Sequence, residues 1–447
     1  MKKDKIFLMV FVFACAAALA PCWPAEFGVR AVSAQATGEA FVIRNARIVT
    51  VTGPVIENGT VVISNGKIAA VGATVSAPAG AKIIDASGLS VYPGMIDSGT
   101  EIGLTEISSV AGSVDTAEIG DNNANIHVDV ALRPDSSHIP VTRVNGITTV
   151  LTEPRGGTIA GQSALINLDG WVPRDMILKS PAAMHVNWPG DSGRGGDFGG
   201  FGQQRSIADA RREQERQVES VRKILRDAKA YADAKEARAR DASLPKQDVD
   251  LKLESLIPVV RGQMPVVISA NTERGIKAAL AFADEMKIKM ILSGGIEAYR
   301  VADQLRAKNI PVIVGPVLRM PNREDDAYDA AFANAGLLSK AGVKIAFQTL
   351  DSAHVRDLPY HAGMAAAFGL PREEALKSVT IYPAEIWGVA DRIGSIEQGK
   401  IANLIVTDGD PLEVLTQVKY LFINGRQIPL SSRHTELYEK YKARPQK

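Results

Sequence analysis

The sequence predicts an α/β protein: a parallel β/α barrel with a small β-sandwich assembled from both ends of the mature chain. Two observations carry this. Residues 91–390 alternate short apolar β-segments with helical stretches, the pattern of a parallel barrel. Residues 41–90 and 391–430 are instead short β-segments broken by turn residues, so the two ends share one grammar. At 447 residues, 46% of them hydrophobic, the chain is long enough for one large barrel to take most of it. A formal charge of +1, with no basic run interleaved with aromatics, excludes nucleic acid as a partner class and suits a small polar molecule.

In chain order, Lys2, Lys3 and Lys5 precede an apolar run over residues 6–20 that Pro21 ends. That length suits a secretory signal better than a stable membrane span, and Ala34-Gln35-Ala36 offers a cleavage site, so residues 1–36 are expected to be removed. An uncleaved N-terminal anchor is one alternative, and a lipoprotein through Leu19-Ala20-Pro21-Cys22 a weaker one, since proline before the cysteine fits poorly. Cys15 and Cys22 both fall in this segment, which leaves the mature chain without a thiol and makes a bacterial periplasm, or secretion, the expected location.

The N-terminal part of the sandwich reads as four strands: Phe41-Val42-Ile43-Arg44, Arg47-Ile48-Val49-Thr50-Val51, Thr60-Val61-Val62-Ile63 and Ile68-Ala69-Ala70-Val71. Asn58-Gly59 and Asn65-Gly66 supply the left-handed turn positions between them, and Asn424-Gly425 does so near the other end. In the barrel region a helix over 135–145 stops at Gly146 before the strand Ile147-Thr148-Thr149-Val150-Leu151-Thr152. Further strands are expected over 265–269, 288–293, 310–314 and 343–347, with a helix containing Ile276, Leu280 and Phe282 before the second of these. Residues 188–258 read as an insertion: a glycine-rich stretch over 190–202, then a charged helix over 206–242 with Val218, Val221, Leu225, Ala228 and Tyr231 on one face. The glycines lack a Gly-Lys-Ser/Thr ending and so do not make a phosphate loop; a surface helix on the rim and a lid over the barrel mouth both remain open. Residues 431–447 form a tail.

The segment Tyr92-Pro93-Gly94-Met95-Ile96-Asp97-Ser98-Gly99-Thr100-Glu101 resembles the first barrel strand of the metal-dependent amidohydrolases, which read Pro-Gly-x-Ile-Asp-x-His-x-His there. Gly146-Ile147-Thr148-Thr149-Val150 is also similar to a frequent family phrase, and the resemblance runs over residues 41–428. It implies a (β/α)₈ TIM barrel with a composite sandwich, and hydrolysis of non-peptide C–N bonds in cyclic amide or dipeptide-like substrates, as in imidazolonepropionase- and prolidase-like members. In the family, two histidines after strand 1, a lysine or glutamate after strand 4 and histidines after strands 5 and 6 hold one or two divalent metals. An aspartate after strand 8 moves the proton.

On this chain those positions are Gly99 and Glu101 after strand 1, Ser269-Ala270-Asn271 after strand 5 and Ser293-Gly294 after strand 6. Residues 183–187, with His185, are the nearest region to the strand 4 ligand. After strand 8 stands Asp351, the residue expected to be catalytic, although the register also allows Leu350 in the family aspartate's place. Glu101, Glu153, Arg155, His185, Asn271, Ser293, His354 and His361 are the candidates to line the mouth; Glu153-Pro154-Arg155 reads equally as a surface ion pair.

Magnitude shows what the substitutions cost. A metal lowers the pKa of water from about 15.7 to about 7, worth up to roughly 12 kcal/mol of activation at about 1.36 kcal/mol per unit. A lone carboxylate base contributes only about 10²–10⁴-fold. No cofactor is therefore expected, except a zinc-type divalent metal if the loops assemble a rearranged site from Glu101, Asp351 and His185 or His354. Two functional readings follow: an exported amidohydrolase with a degenerate metal site, and a non-catalytic descendant that binds a small molecule or a protein. Homo-oligomerisation is left open.

Overall fold

The computed structural model describes residues 39–191, 207–321, 323 and 325–445. The signal segment, both cysteines, the cleavage site and residues 192–206 of the glycine-rich stretch lie outside them. The sandwich sheet uses β1 (Phe41–Ile48), β2 (Ile56–Ser64), β3 (Lys67–Gly72), β4 (Lys82–Asp85) and β5 (Ser90–Pro93). The far end of the chain supplies β16 (Leu404–Thr407), β17 (Val418–Ile423) and β18 (Arg426–Ile428). The strand order is β18-β17-β16-β5-β1-β2-β3, with β4 beside β1, so both ends of the chain do share one sheet. The two expected segments between residues 41 and 51 merge into β1: Asn45 takes the left-handed region at φ 61°, and the ladder to β2 shifts register there instead of ending. The Asn65-Gly66 and Asn424-Gly425 turns stack on each other so closely that a Cβ on Gly425 would stand 2.5 Å from the Gly66 Cα. Only glycines permit that approach.

The barrel strands are β6 (Met95–Thr100), β7 (Ile147–Thr152), β8 (Ile159–Gln162), β9 (Ala164–Asn167), β10 (Ile177–Lys179), β11 (Met184–Asn187), β12 (Val266–Ala270), β13 (Met290–Gly294), β14 (Val312–Val314) and β15 (Ile345–Phe347). Strand β6 runs parallel to β7, and β11 to β15 form a parallel run in sequence order. One position departs from the expected all-parallel order. Between β7 and β11 lies the β8–β9 segment, with β9 antiparallel to β7 and β8 antiparallel to β11. The ring closes where the chain leaving β15 meets β6, through Leu350 N–H to Gly99 O and Glu101 N–H to Asp351 O, both 2.9 Å.

A fully buried apolar cluster fills the ring. It takes one residue from each of the eight positions: Ile96, Leu151, Leu165, Ala183, Val267, Ile291, Ile313 and Ala346. This is the packed interior of a barrel and not a pore. Trp387 closes it from the N-terminal end, 1% exposed, its indole N–H donating to Ser98 Oγ at 3.2 Å. The glycine of the Pro93-Gly94 motif has a packing role: a Cβ there would fall 2.2 Å from a Thr148 methyl, so it sets how closely β6 and β7 approach.

The charged helix, Ile207–Arg240, is the crossover from β11 to β12 together with the helix Leu251–Val260. Its buried Val221 and Leu225 face Met184, Val186, Val266 and Ile268 on the outer wall of those strands. The stretch read as an insertion thus supplies an ordinary wall helix over its described part. Arg222 and Lys235 pair with Glu285 and Glu254 on the neighbouring helices at 2.9 and 2.6 Å.

Candidate functional site

Strand side chains alternate, so the residues two positions beyond the interior apolar layer form the next layer towards the strand tips. Those residues are Glu153, His185, Ser269, Ser293, Gly315 and Gln348, while in β6 Ser98 instead accepts from the Trp387 indole. The layer is polar and mostly buried, with Ser269 half-buried. Glu153, His185 and Ser293 are each 5% exposed or less, and Gln348 is fully buried. Gln348 takes a hydrogen bond on Oε1 from Ser293 Oγ at 3.1 Å and donates from Nε2 to Gly315 O at 3.3 Å. A Cβ on Gly99 would stand 2.6 Å from Gln348 Oε1 and 3.2 Å from Glu153 Oε2. Gly99 reaches this layer because the β6–β7 register shifts between Asp97 and Thr100. The space beside Gly99, where the resemblance places the first ligand after strand 1, is thus taken by a glutamine from the opposite side of the ring's seam.

Beside this plug, His185 Nδ1 lies 3.6 Å from Glu153 Oε2, and its Nε2 is buried without a hydrogen-bond partner. Arg155 covers the pair from the rim: its Nε is 3.1 Å from Glu101 Oε1 and 3.8 Å from Glu153 Oε1, and Nη2 donates to Leu350 O at 2.9 Å. The Glu153-Pro154-Arg155 segment is therefore part of a half-buried cluster with Glu101, not a surface pair. Burial raises Glu153 to about 7, with Arg155 pulling it down and Glu101 pushing it up. Burial, helped by the charge on Arg155, lowers His185 to about 3 and keeps it neutral. Asp97 of the strand 1 motif is fully buried and raised by burial to about 8, although Thr349 Oγ1 donates to it at 2.7 Å and the Gly99 and Thr349 amides add to this. It ties β6 to the chain leaving β15.

The other candidates lie outside the buried polar layer. Asp351 caps its own loop, accepting from Ala353 N–H at 2.7 Å and His354 N–H at 3.1 Å, with His354 Nδ1 at 3.0 Å. Burial would raise its pKa, but these bonds outweigh it and hold the carboxylate below its ordinary value. It does not point into the polar layer, so the expected base is a turn residue on a half-exposed loop. Leu350, the other register, sits at φ 55° and offers backbone groups alone, its carbonyl to Arg155 and its N–H to Gly99 O. His361 accepts from Val317 N–H at 2.9 Å and anchors the loop after β14; burial lowers it to about 4. Asn271 packs its side chain on Gly294, and its backbone N–H goes to Asp191. Glu101, Glu153, Arg155, His185 and Ser293 do come together. Gln348 and Asp97 were missed, although Gln348 was within reach by counting two residues on from Ala346.

Among the described residues no three His, Cys, Asp or Glu side chains converge as a metal-binding group. The polar layer offers one imidazole, His185, and one carboxylate, Glu153, with Gln348 lodged beside Gly99. These residues do not fit the divalent metal implied by the resemblance, which needs several nitrogen or oxygen donors and an open coordination position. Among the described residues, no helix is long and apolar enough to cross a membrane.

Comparison with known proteins adds the following. The amidohydrolase family model matches residues 270–428. The amidohydrolase tasK of Hapsidospora irregularis is 28% identical over 401 residues, which is 82% of this chain and 39% of the relative. An adenine deaminase of Listeria monocytogenes is 29% identical over 147 residues, 32% of this chain and 20% of that protein. The chain therefore spans well under half the length of either. Among solved structures, an amidohydrolase from Thermotoga maritima MSB8 has a TM-score of 0.75 at 26% identity, covering 87% of this chain and 99% of that one. A prolidase complexed with N-methylphosphonate-L-proline gives 0.53 at 18% identity, with 87% and 99% covered, and shares the fold.

Proposed function

We infer that this chain, which belongs to the amidohydrolase family, uses the family barrel as a binding scaffold and not as a metal-assisted hydrolase of C–N bonds. One observation carries the reading: Gln348 fills the space beside Gly99 where a ligand side chain would stand. What remains accessible is the polar rim, where Arg155, Glu101, Asp351 and His354 are 31%, 23%, 39% and 62% exposed at their side chains. That rim suits a small polar molecule bearing both charges. Export to the periplasm belongs to the same proposal, on the lysine-led apolar start and Ala34-Gln35-Ala36.

A second reading keeps C–N hydrolysis, as the names of the relatives suggest. It is favoured by Glu153, a buried carboxyl raised to about 7, the range in which a proton-transfer group works best at neutral pH. The two readings separate in one assay. The chain is incubated with zinc or manganese and a panel of Xaa-Pro dipeptides, N-acyl amino acids and adenine, and released amine or ammonia is followed. No release above the protein-free control is expected. Metal-dependent turnover that Glu153→Gln abolishes would replace the scaffold reading with the hydrolase.

A further inference from the structure

The base of the barrel, opposite the strand tips, carries two depressions. One of about 500 Å³ includes Lys179, Gln263, Lys289 and Lys308 in its lining, and one of about 410 Å³ includes Arg306 and Lys344. Asn309, Ile310, Pro311 and Ile386 line both, so the two are one groove running across the N-terminal ends of β12 to β15. Four strand ends at about 4.8 Å spacing make it about 14 Å long, the reach of four or five residues of extended peptide at about 3.3 Å each.

The charge of the groove is unbalanced. Its two carboxylates are already taken: Asp284 by Lys308 at 2.5 Å and Glu385 by Lys344 at 2.6 Å. Among the described residues, no carboxylate comes within ion-pair distance of Lys179, Lys289 or Arg306. Lys179 instead donates to Trp387 O at 2.8 Å. Arg392, bonded to Leu178 O at 2.9 Å, sets a further positive charge near it. Burial and the charge on Arg392 lower the Lys179 pKa, so the fold holds two cations near each other at an electrostatic cost that an anion would relieve. Between the cations the floor is apolar, with Ile310, Pro311 and Ile386.

We propose that this groove binds an extended acidic segment of a partner protein, its carboxylates meeting Lys179, Lys289 and Arg306 and its alternate apolar side chains lying on Ile310 and Ile386. Successive side chains of an extended segment point to opposite sides, which matches an apolar floor edged by cations. The proposal is independent of whether the strand-tip site is catalytic.

The test uses the full chain and fluorescein-labelled Glu-Leu-Glu-Leu-Glu, with Gln-Leu-Gln-Leu-Gln and Lys-Leu-Lys-Leu-Lys as controls, read by anisotropy. The acidic peptide alone should bind. Its affinity should fall between about 50 mM and about 300 mM salt, as screening of exposed charges requires. Lys289→Glu combined with Arg306→Glu should weaken it at least about tenfold, a step of one decade in Kd, with an unchanged melting temperature. Both residues are exposed and outside the core, and Lys289→Gln with Arg306→Gln serves as a milder variant of the same pair. Equal binding of the glutamine peptide would overturn the proposal. So would binding unaltered by both variants, or binding of citrate at this groove with none of the acidic peptide.

Discussion

Gly99→His, which restores the first metal-ligand position of the family motif, is expected to destabilise the protein by about 3 kcal/mol and to leave metal affinity unchanged. The first atom of any side chain there would meet Gln348 Oε1 at 2.6 Å and Glu153 Oε2 at 3.2 Å. An imidazole must then expel Gln348, breaking its bonds to Ser293 and Gly315. Overpacking costs about 1–3 kcal/mol and a buried polar group left unpaired about 1–3 more, and the two overlap because both act through the same glutamine. Urea unfolding measures the loss. Because Ser269 and Ser293 add no imidazole, the histidine would have too few partners for a metal even after repacking. Wild-type stability with one tightly bound zinc would show that the layer is loosely packed and still able to hold a metal.

Glu153→Gln is expected to gain stability on the wild type by about 2–3 kcal/mol as pH rises from about 5 to about 8. The folded-state pKa of Glu153, about 7, lies above its ordinary value of 4.5. The folded state therefore holds the proton more tightly than the unfolded one. That contribution is fully present below pH 4.5 and is lost as pH rises through 7. His185 acts in the opposite sense. Its folded pKa, about 3, lies below 6.5, so its contribution is present above 6.5 and lost as pH falls through 3. Asp97, raised to about 8, has the sign of Glu153. In the wild type the slope of His185 offsets that of only one of the two acids between pH 4.5 and 6.5, and the difference from a variant without Glu153 isolates its part. Glutamine keeps the shape and polarity while removing the titration. A difference in unfolding free energy that stays flat from pH 5 to 8 would mean that Glu153 titrates normally and is not enclosed.

Much of the fold was legible because its signals are local. β-Branched clusters and the Asn65-Gly66 and Asn424-Gly425 turns mark the sandwich, although Asn58-Gly59 lies inside β2 and makes no turn, and the strand–helix alternation marks β11 to β15. The β8–β9 segment carried no such signal: Ile159-Ala160-Gly161-Gln162 has one β-branched residue and a glycine, and its direction is set by the strands on either side. The wall role of Ile207–Arg240 was hidden by its charge, since only a narrow stripe around Val221 and Leu225 is buried. At the site, the lack of imidazoles at Gly99, Ser269 and Ser293, where the resemblance places ligands, was readable directly. What replaced them was not, because Gln348 acts across the closing seam of the barrel and lies 249 positions from Gly99 in sequence (348 − 99). Asp351 was chosen by its neighbourhood to a family position, yet one residue past Leu350 the loop turns outward and its carboxylate faces its own backbone.

The account turns on whether the strand-tip layer is a metal centre or a packed polar core. The most direct measurement is equilibrium dialysis of the purified wild-type chain against zinc and manganese near neutral pH, followed by metal analysis of the protein. One imidazole, one raised carboxyl and a lodged glutamine predict fewer than about 0.1 tightly held ions per chain. About one ion per chain, lost on His185→Ala or Glu153→Ala, would contradict this reading and place the protein with the metal-dependent amidohydrolases it resembles.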